Sequence, residues 1–459
     1  MKILLIQPAK AQKTIGGDDY FIHEPLALEY LASGIKDSHD VKILDMRFDR
    51  DLEKELKEYE PDVVGITAYT VHVNTVKNLF NKIKSIDTGI FTVVGGHHAT
   101  VVPHDFFTPD IDIVVMGEGV FVFKEIISRL VSKRPFDGIA GISYLKGSER
   151  VIIPPEPITD LDIFPFPARE LTEKYRKHYF SEWMKPLATI RTSKGCPFRC
   201  NFCALWKITG GKYLKRKPEN IVRELSGIKE KNVFFADDES LFDAERMKKL
   251  AGLIREAGIK KSYFLYGRSD TIVKNPELIK LWKDIGLERV FVGLESFRNG
   301  DLKNINKGST IEDNNQAVRI LRSNGIEVYA SFILRPDFSK DDFQEFKRYC
   351  RGQELSFASF AVLTPLPGTD FYEEVKDSLI TTNYDLFDLI HTVLPTKLPL
   401  KEFYYNYNWL ILESKTPAKN ISFMMKYSLK EIPGLISFSI KFSKQLKNAY
   451  KDYETKGEK

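Results

Sequence analysis

Short apolar runs alternate with amphipathic stretches along most of this chain. Ile3–Ile6, Val41–Leu44, Pro61–Thr67, Phe91–Gly96 and Ile113–Met116 are apolar runs of strand length. Between them Leu26–Ile35, Leu52–Glu58 and Val73–Ile83 repeat apolar residues at helical spacing. Strands this apolar are buried on both faces, so the pattern predicts a parallel sheet covered by helices. The alternation returns from Leu187, with strands predicted at Ala188–Arg191, Val233–Ala236, Tyr263–Gly267, Val290–Leu294, Tyr329–Leu334 and Phe357–Leu363. Helices are predicted between them at Pro218–Gly227, Ala244–Ala257, Pro276–Ile285, Ile311–Asn324 and Lys340–Cys350. Six parallel strands in this arrangement fit a partial (β/α)6 barrel, open on one side.

The two alternating regions are joined by Pro135–Pro167, which is rich in Pro and broken by Gly138, Gly141 and Gly147. It predicts a short hairpin followed by an extended connector. The chain is therefore divided into a Rossmann-like α/β domain at 1–134, a linker at 135–182, the barrel at 183–378 and a mostly helical C-terminal region at 379–459. The end of that region, Ile421–Tyr453, interleaves Phe423, Leu435, Phe438, Phe442 and Leu446 with lysines and few acids. Basic amphipathic helices of this type either lie on an anionic bilayer or pack on their own barrel. On the bilayer reading, Phe438, Phe442 and Leu446 enter the headgroup region while Lys441, Lys444 and Lys447 meet anionic lipid.

Composition narrows the class without naming the chemistry. The 459 residues are 43% hydrophobic, ordinary for a globular protein. A net charge of +5 is too weak to argue for nucleic acid. No apolar run reaches the roughly eighteen residues of a membrane span. The opening Met1–Pro8 is a short strand and lacks the length of a signal peptide. A cytoplasmic location is expected, with peripheral membrane contact if the tail docks as above.

Candidate chemistry lies at the C-terminal ends of the predicted strands, where parallel α/β folds carry ligands. In the first domain these ends hold Asp45, Thr67, Tyr69, Gly95, Gly96, His97, Gly117 and Glu118. The glycine pairs let backbone approach a flat, bulky ligand. In the barrel they hold Asp237, Asp238 and Glu239, then Arg268, then Glu295 and Ser296. Helix N-capping competes for any such acid, and Asp243, just before Ala244, is read as a cap. After the first barrel strand, Cys196, Cys200 and Cys203 stand in C-x3-C-x2-C spacing. Three thiolates on one loop suit three corners of a [4Fe–4S] cube, leaving the fourth iron open. A zinc site needs a second Cys/His pair, which the sequence does not supply near the loop. Cys350, the only other cysteine, is far off at a helix end and is read as a core or helix-surface thiol.

The cysteine loop with Phe202 before its last thiol resembles the radical S-adenosylmethionine enzymes, and the N-terminal half resembles the cobalamin-binding domains that precede many of them. Met1 to about Tyr407 is similar to the cobalamin-binding radical S-adenosylmethionine group, which includes hopanoid methylases and the anaerobic magnesium-protoporphyrin ester cyclase. Likeness to the hopanoid branch rests on Val93–Thr100, Phe202–Lys207, Leu363–Thr369 and Val393–Pro399. The resemblance implies three cofactors: the cluster on Cys196, Cys200 and Cys203, S-adenosylmethionine near Asp237, Asp238, Arg268, Glu295 and Ser296, and cobalamin on the first domain. One departure concerns cobalt. The group's D-x-H-x-x-G motif is here Asp45-Met46-Arg47-Phe48-Asp49-Arg50, so Arg47 replaces the histidine that serves as lower ligand. His72, His97 and His98 follow later strands, either as cobalt ligands or as pocket lining. The implied reaction is methylation of an unactivated carbon, of a membrane lipid of hopanoid or isoprenoid type, with electrons from a flavodoxin or ferredoxin. Ring closure, carbon–carbon coupling, oxidation and methylation of a peptide or small metabolite stay open on the same scaffold, as does a non-enzymatic binding module.

Overall fold

The computed structural model describes residues 1–18, 21–355 and 357–453. Residues 454–459, the end of the predicted helical region, lie outside the described residues. The first sheet contains Lys2–Gln7 (β1), Asp40–Asp45 (β2), Val63–Thr67 (β3), Phe91–Gly95 (β4) and Ile113–Val115 (β5), all parallel. Its order, β2-β1-β3-β4-β5, places β1 between the second and third strands. The chain therefore leaves β1 toward both sides of the sheet, which opens a crevice at the strand ends. Helices Leu26–Ser33 and Gly119–Ser132 cover one face, and Leu52–Tyr59 and Val73–Ile86 the other.

The hairpin predicted after Pro135 forms, as Ile142–Lys146 (β6) and Glu149–Ile153 (β7). It does not sit in a linker. β6 pairs antiparallel with β5, so the hairpin extends the first sheet to seven strands. The short edge strand β5 exposes ladder groups that only another strand satisfies, and a neighbouring hairpin is the nearest source.

The second sheet has six parallel strands in sequence order: Leu187–Ile190 (β8), Asn232–Phe235 (β9), Ser262–Gly267 (β10), Leu287–Glu295 (β11), Glu327–Leu334 (β12) and Phe357–Val362 (β13). β8 and β13 do not pair, so the barrel is open along one side. Outward residues of the strands pack on the surrounding helices in one large core, in which Cys350 is fully buried. Asp243 caps helix Ala244–Glu256 by accepting from the Arg246 amide, as expected of an acid at that position. The barrel interior is filled with rings, among them Phe234, Phe264, Tyr266, Phe291 and Tyr329.

The two sheets are locked by buried charge. Glu24, fully buried, accepts from Arg169 at 2.5 Å and from Arg176 at 2.7 Å, and also takes the Thr189 amide of β8. Arg169 bridges on to Glu224 at 2.7 Å. Removing one member of such a network would strand its partners' charge out of water.

The tail packs differently from the bilayer reading. Leu446 is fully buried, and Phe442 packs beside it against the barrel core. Phe438 and Phe442 are half-buried and line a cavity. The exposed apolar residues are others, including Met425 at 80% and Leu429 at 86% exposure. Leu446 is therefore not available for docking, and the aromatics beside it face the cavity. Helix Ile432–Asn448 is apolar on several sides, and helix Leu400–Glu413 claims one of them.

Candidate active site

The cysteine loop leaves β8 and is held by the acids after β9. Asp237, almost fully buried, accepts from the Thr192 amide at 2.6 Å and the Ser193 amide at 2.8 Å. Asp238 accepts from the Gly195 amide at 2.6 Å. Gly195 has φ +91, and a Cβ there would lie 2.0 Å from the Lys212 carbonyl oxygen, so only glycine fits. From the opposite side, Asn306 donates to the Arg199 carbonyl at 2.6 Å and the Asn201 amide donates to the Ile305 carbonyl. The loop is thus clamped at both ends. Its three thiols are free of disulfides. Burial pushes the Cys196 thiol up to about 11 and the Cys203 thiol up to about 12. Such thiols ionise only beside strong positive charge, which bound iron provides. Among the described residues no three His, Cys, Asp or Glu side chains converge on a point that would hold a single ion.

Beneath the loop lies a charged floor. Lys307 donates to Glu295 at 2.6 Å, and both are buried. Glu295 sits at φ +60 where β11 ends. A Cβ on Gly293 would lie 2.3 Å from the Glu295 carboxylate, so that glycine makes room for the turn-back. Arg268 pairs with Asp270 at 2.9 Å and lies 3.6 Å over the Phe198 ring of the cysteine loop. Glu239 is buried with one carboxylate oxygen unpartnered. Burial raises it to about 8, against the pull of Arg268 and Lys307. A buried acid with one free oxygen beside two cations suits the ammonium and carboxylate of an amino-acid ligand.

The first domain's strand ends face this floor. Tyr69 is 50% exposed and lies near Tyr266 of the barrel. Gly96 has φ +103, and a Cβ there would lie 2.8 Å from the Ala68 nitrogen. Gly95, Gly96, Gly117 and Gly119 border a slot of about 110 Å³ between sheet and helices, with Thr67 and Glu118 at its edge. With glycines at its border and apolar side chains such as Leu28, Val115 and Phe123 inside, the slot suits the narrow appendage of a bulky cofactor such as cobalamin. His97 keeps a buried, unpartnered Nε2. Burial and the neighbouring His98 lower His97 to about 4, so it is a neutral imidazole at pH 7. His98 is committed to Thr70 at 3.1 Å and Asp105 at 2.8 Å. Arg47 is committed within its own loop. It pairs with Asp45 at 2.6 Å and 2.8 Å and donates to the His23 carbonyl, so the Asp45 loop offers no ligand to cobalt.

Several residues expected to touch a cofactor are engaged elsewhere. Asp237 and Asp238 fix the cysteine loop. Ser296 donates to Asp301 at 2.8 Å. Glu118 receives Lys194 of the cysteine loop at 2.6 Å and so ties the two domains. Glu239 was legible as the acid after Asp238. Lys307 was not among the sequence candidates, since it lies in a loop with no local signal.

Comparison with known proteins agrees with this geometry. The B12 binding domain family matches residues 12–127 and the Radical SAM superfamily matches residues 190–350. The hopanoid C-3 methylase of Methylococcus capsulatus is 34% identical over 412 residues, covering 88% of this chain and 78% of that one. The anaerobic magnesium-protoporphyrin IX monomethyl ester cyclase of Rubrivivax gelatinosus is 27% identical over 415 residues, covering 86% and 73%. In fold, the cobalamin-dependent S-adenosylmethionine radical enzyme OxsB superposes with a TM-score of 0.73 at 17% identity, covering 97% of this chain and 71% of that one. A clamped three-cysteine loop, a glycine-lined slot opposite it and these likenesses lead to one conclusion: the chain is an enzyme of the cobalamin-dependent radical S-adenosylmethionine methyltransferase family, using a [4Fe–4S] cluster, S-adenosylmethionine and cobalamin.

Proposed function

We propose that this enzyme methylates an unactivated carbon of a membrane lipid of hopanoid or isoprenoid type, with electrons from a flavodoxin- or ferredoxin-type donor. A carbon of that kind has no acidic proton, so general-base chemistry does not reach it. Bound together, the three cofactors supply the radical and the methyl group that such a carbon needs. The single observation that carries the reading is the Glu118–Lys194 ion pair, which holds the first domain's strand ends against the cysteine loop. Both cofactor sites then open on one space, and a substrate carbon placed there meets each in turn. Asp237 and Asp238 keep the cysteine loop in place, and Glu239, Arg268, Lys307 and Glu295 receive the charged end of S-adenosylmethionine. Tyr69 and Tyr266 wall the space. The lipid assignment is supported by the likeness to the hopanoid C-3 methylase, since the tail aromatics no longer argue for it. Among the described residues no helix is long and apolar enough to cross a membrane, so a lipid would be taken up from outside the protein.

The test is anaerobic incubation of the reconstituted enzyme with methyl-deuterated S-adenosylmethionine and lipid extract of the host cell. Mass spectrometry should find one lipid carrying a deuterated methyl group in place of hydrogen. A new ring or double bond without label would mean a different radical outcome, and label confined to water-soluble products would remove the lipid.

A further inference from the structure

The open side of the barrel holds a second cavity of about 700 Å³, within the range of about 300–1,000 Å³ usual for small-molecule sites. It lies between the edge strand β13 and the segment before β8, roofed by helices Pro417–Met424 and Ile432–Asn448. Its walls are apolar: Phe357, Phe360, Leu412, Phe423, Phe438 and Phe442. Phe357 is the first residue of β13, and Lys185 precedes β8, so the cavity opens toward the strands' N-terminal ends. The cysteine loop is at the other end, and the ring-filled barrel interior lies between them.

One polar group in these walls is out of place. The Lys415 ammonium lies 5.1 Å over the Phe357 ring and 4.7 Å over the Phe423 ring. Among the described residues it has no ion pair. Nearby carboxylates are paired with other cations: Glu182 with Arg289 through one oxygen, its other being unpartnered, Glu327 with Lys426, and Glu413 with Lys347 and Arg351. Burial lowers Lys415 to about 8, so it is charged at neutral pH. Of the other ionisable lining groups, Lys185 and Lys430 add positive charge, and Glu431 is held by the Ser428 amide and hydroxyl. A cation left on an apolar wall is costly unless an anion meets it.

We infer that this cavity binds an amphiphile with an apolar chain and a single anionic head, the chain among the phenylalanines and the head on Lys415. It is a site apart from the reaction space, and the inference does not rest on the methylation reading.

The test uses the full-length protein, stripped of bound lipid, and cis-parinaric acid as a fluorescent fatty-acid probe. Saturable binding at one site is expected. Lys415→Met should weaken it roughly tenfold, the loss of one charged contact, and should bring the acid and its methyl ester to equal affinity. A side chain at Gly434, where a Cβ meets nothing within 4 Å, would project from the roof. Gly434→Phe should therefore abolish binding, with Ser439→Phe as the second filling variant if the first misfolds. Absence of saturable binding, or binding unchanged by both filling variants, would overturn the site. Equal affinity of acid and ester in the unmodified protein would overturn the anionic head. Methylation is not read in this experiment, so its result stands apart from that of the labelled-methyl assay.

Discussion

The two faces of the active site are built by opposite means. The cysteine loop is fixed by added carboxylates: Asp237 and Asp238 receive three of its backbone amides. The cobalamin face is made by removing side chains, with Gly95, Gly96, Gly117 and Gly119 bordering its slot. A cluster needs a few thiols delivered to fixed points, and short charge-assisted bonds supply that rigidity. A large planar cofactor needs room and a close-lying backbone, which only glycine leaves. The same chain therefore uses polar residues where position matters and none where volume matters.

The largest effect should come from the thiols. Replacing Cys196, Cys200 and Cys203 together with Ala should abolish iron binding and visible sulfide-to-iron absorption after anaerobic reconstitution. Cys350→Ala should leave both intact, because that thiol is buried in the barrel core. Iron loss in Cys350→Ala would mean that the cluster has a fourth protein ligand.

A crossed pair of variants tests whether the two faces are independent. Gly96→Ala puts a Cβ against the Ala68 backbone at a left-handed φ, a strain of about 1–3 kcal/mol. It should lose most cobalamin binding while retaining iron. Asp237→Asn removes the charge from two amide bonds in a buried place, about 2–4 kcal/mol of local stability. It should lower cluster yield while retaining cobalamin. Loss of both cofactors in either variant would show one cooperative unit and break the comparison.

Smaller changes should follow at the joint and at the tail. Glu118→Gln weakens the tie to Lys194 without filling space, so both cofactors should bind within a few-fold while S-adenosylmethionine cleavage slows. The tail carries a pH dependence through His391, fully buried between Asp388 at 2.9 Å and Asp452 at 3.2 Å. Burial pulls this imidazole down, but the two carboxylates outweigh it and raise it from 6.5 to about 9. A raised folded value means stability that is present below pH 6.5 and lost as pH rises through about 9. The melting temperature should fall by a few degrees over that range, and His391→Gln should flatten the profile.

Every predicted strand of both sheets forms, because buried parallel strands must be continuously apolar and short. Arg47 was equally visible as a departure, since a motif is a matter of which residue stands where. The roles of the acids were less legible. A carboxylate after a strand serves a ligand or a backbone amide equally well, and only the path of the cysteine loop assigns Asp237 and Asp238 to amides. Lys307 reaches Glu295 from a separate loop, and no local pattern marks such a meeting.

The sequence by itself determined what depends on neighbours along the chain: the alternation of strands and helices, the C-x3-C-x2-C loop, the glycines at the strand ends and the missing histidine at position 47. Only the tertiary structure decided what depends on which surfaces meet. It placed the hairpin on the first sheet's edge, turned Glu118 toward Lys194, and turned Phe438 and Phe442 inward over the open side of the barrel. Helix Ile432–Asn448 has more apolar faces than one partner covers, so its hydrophobic pattern alone leaves the buried face open. Helix Leu400–Glu413, packed on the edge strand β13, settles it by offering apolar surface that water must leave.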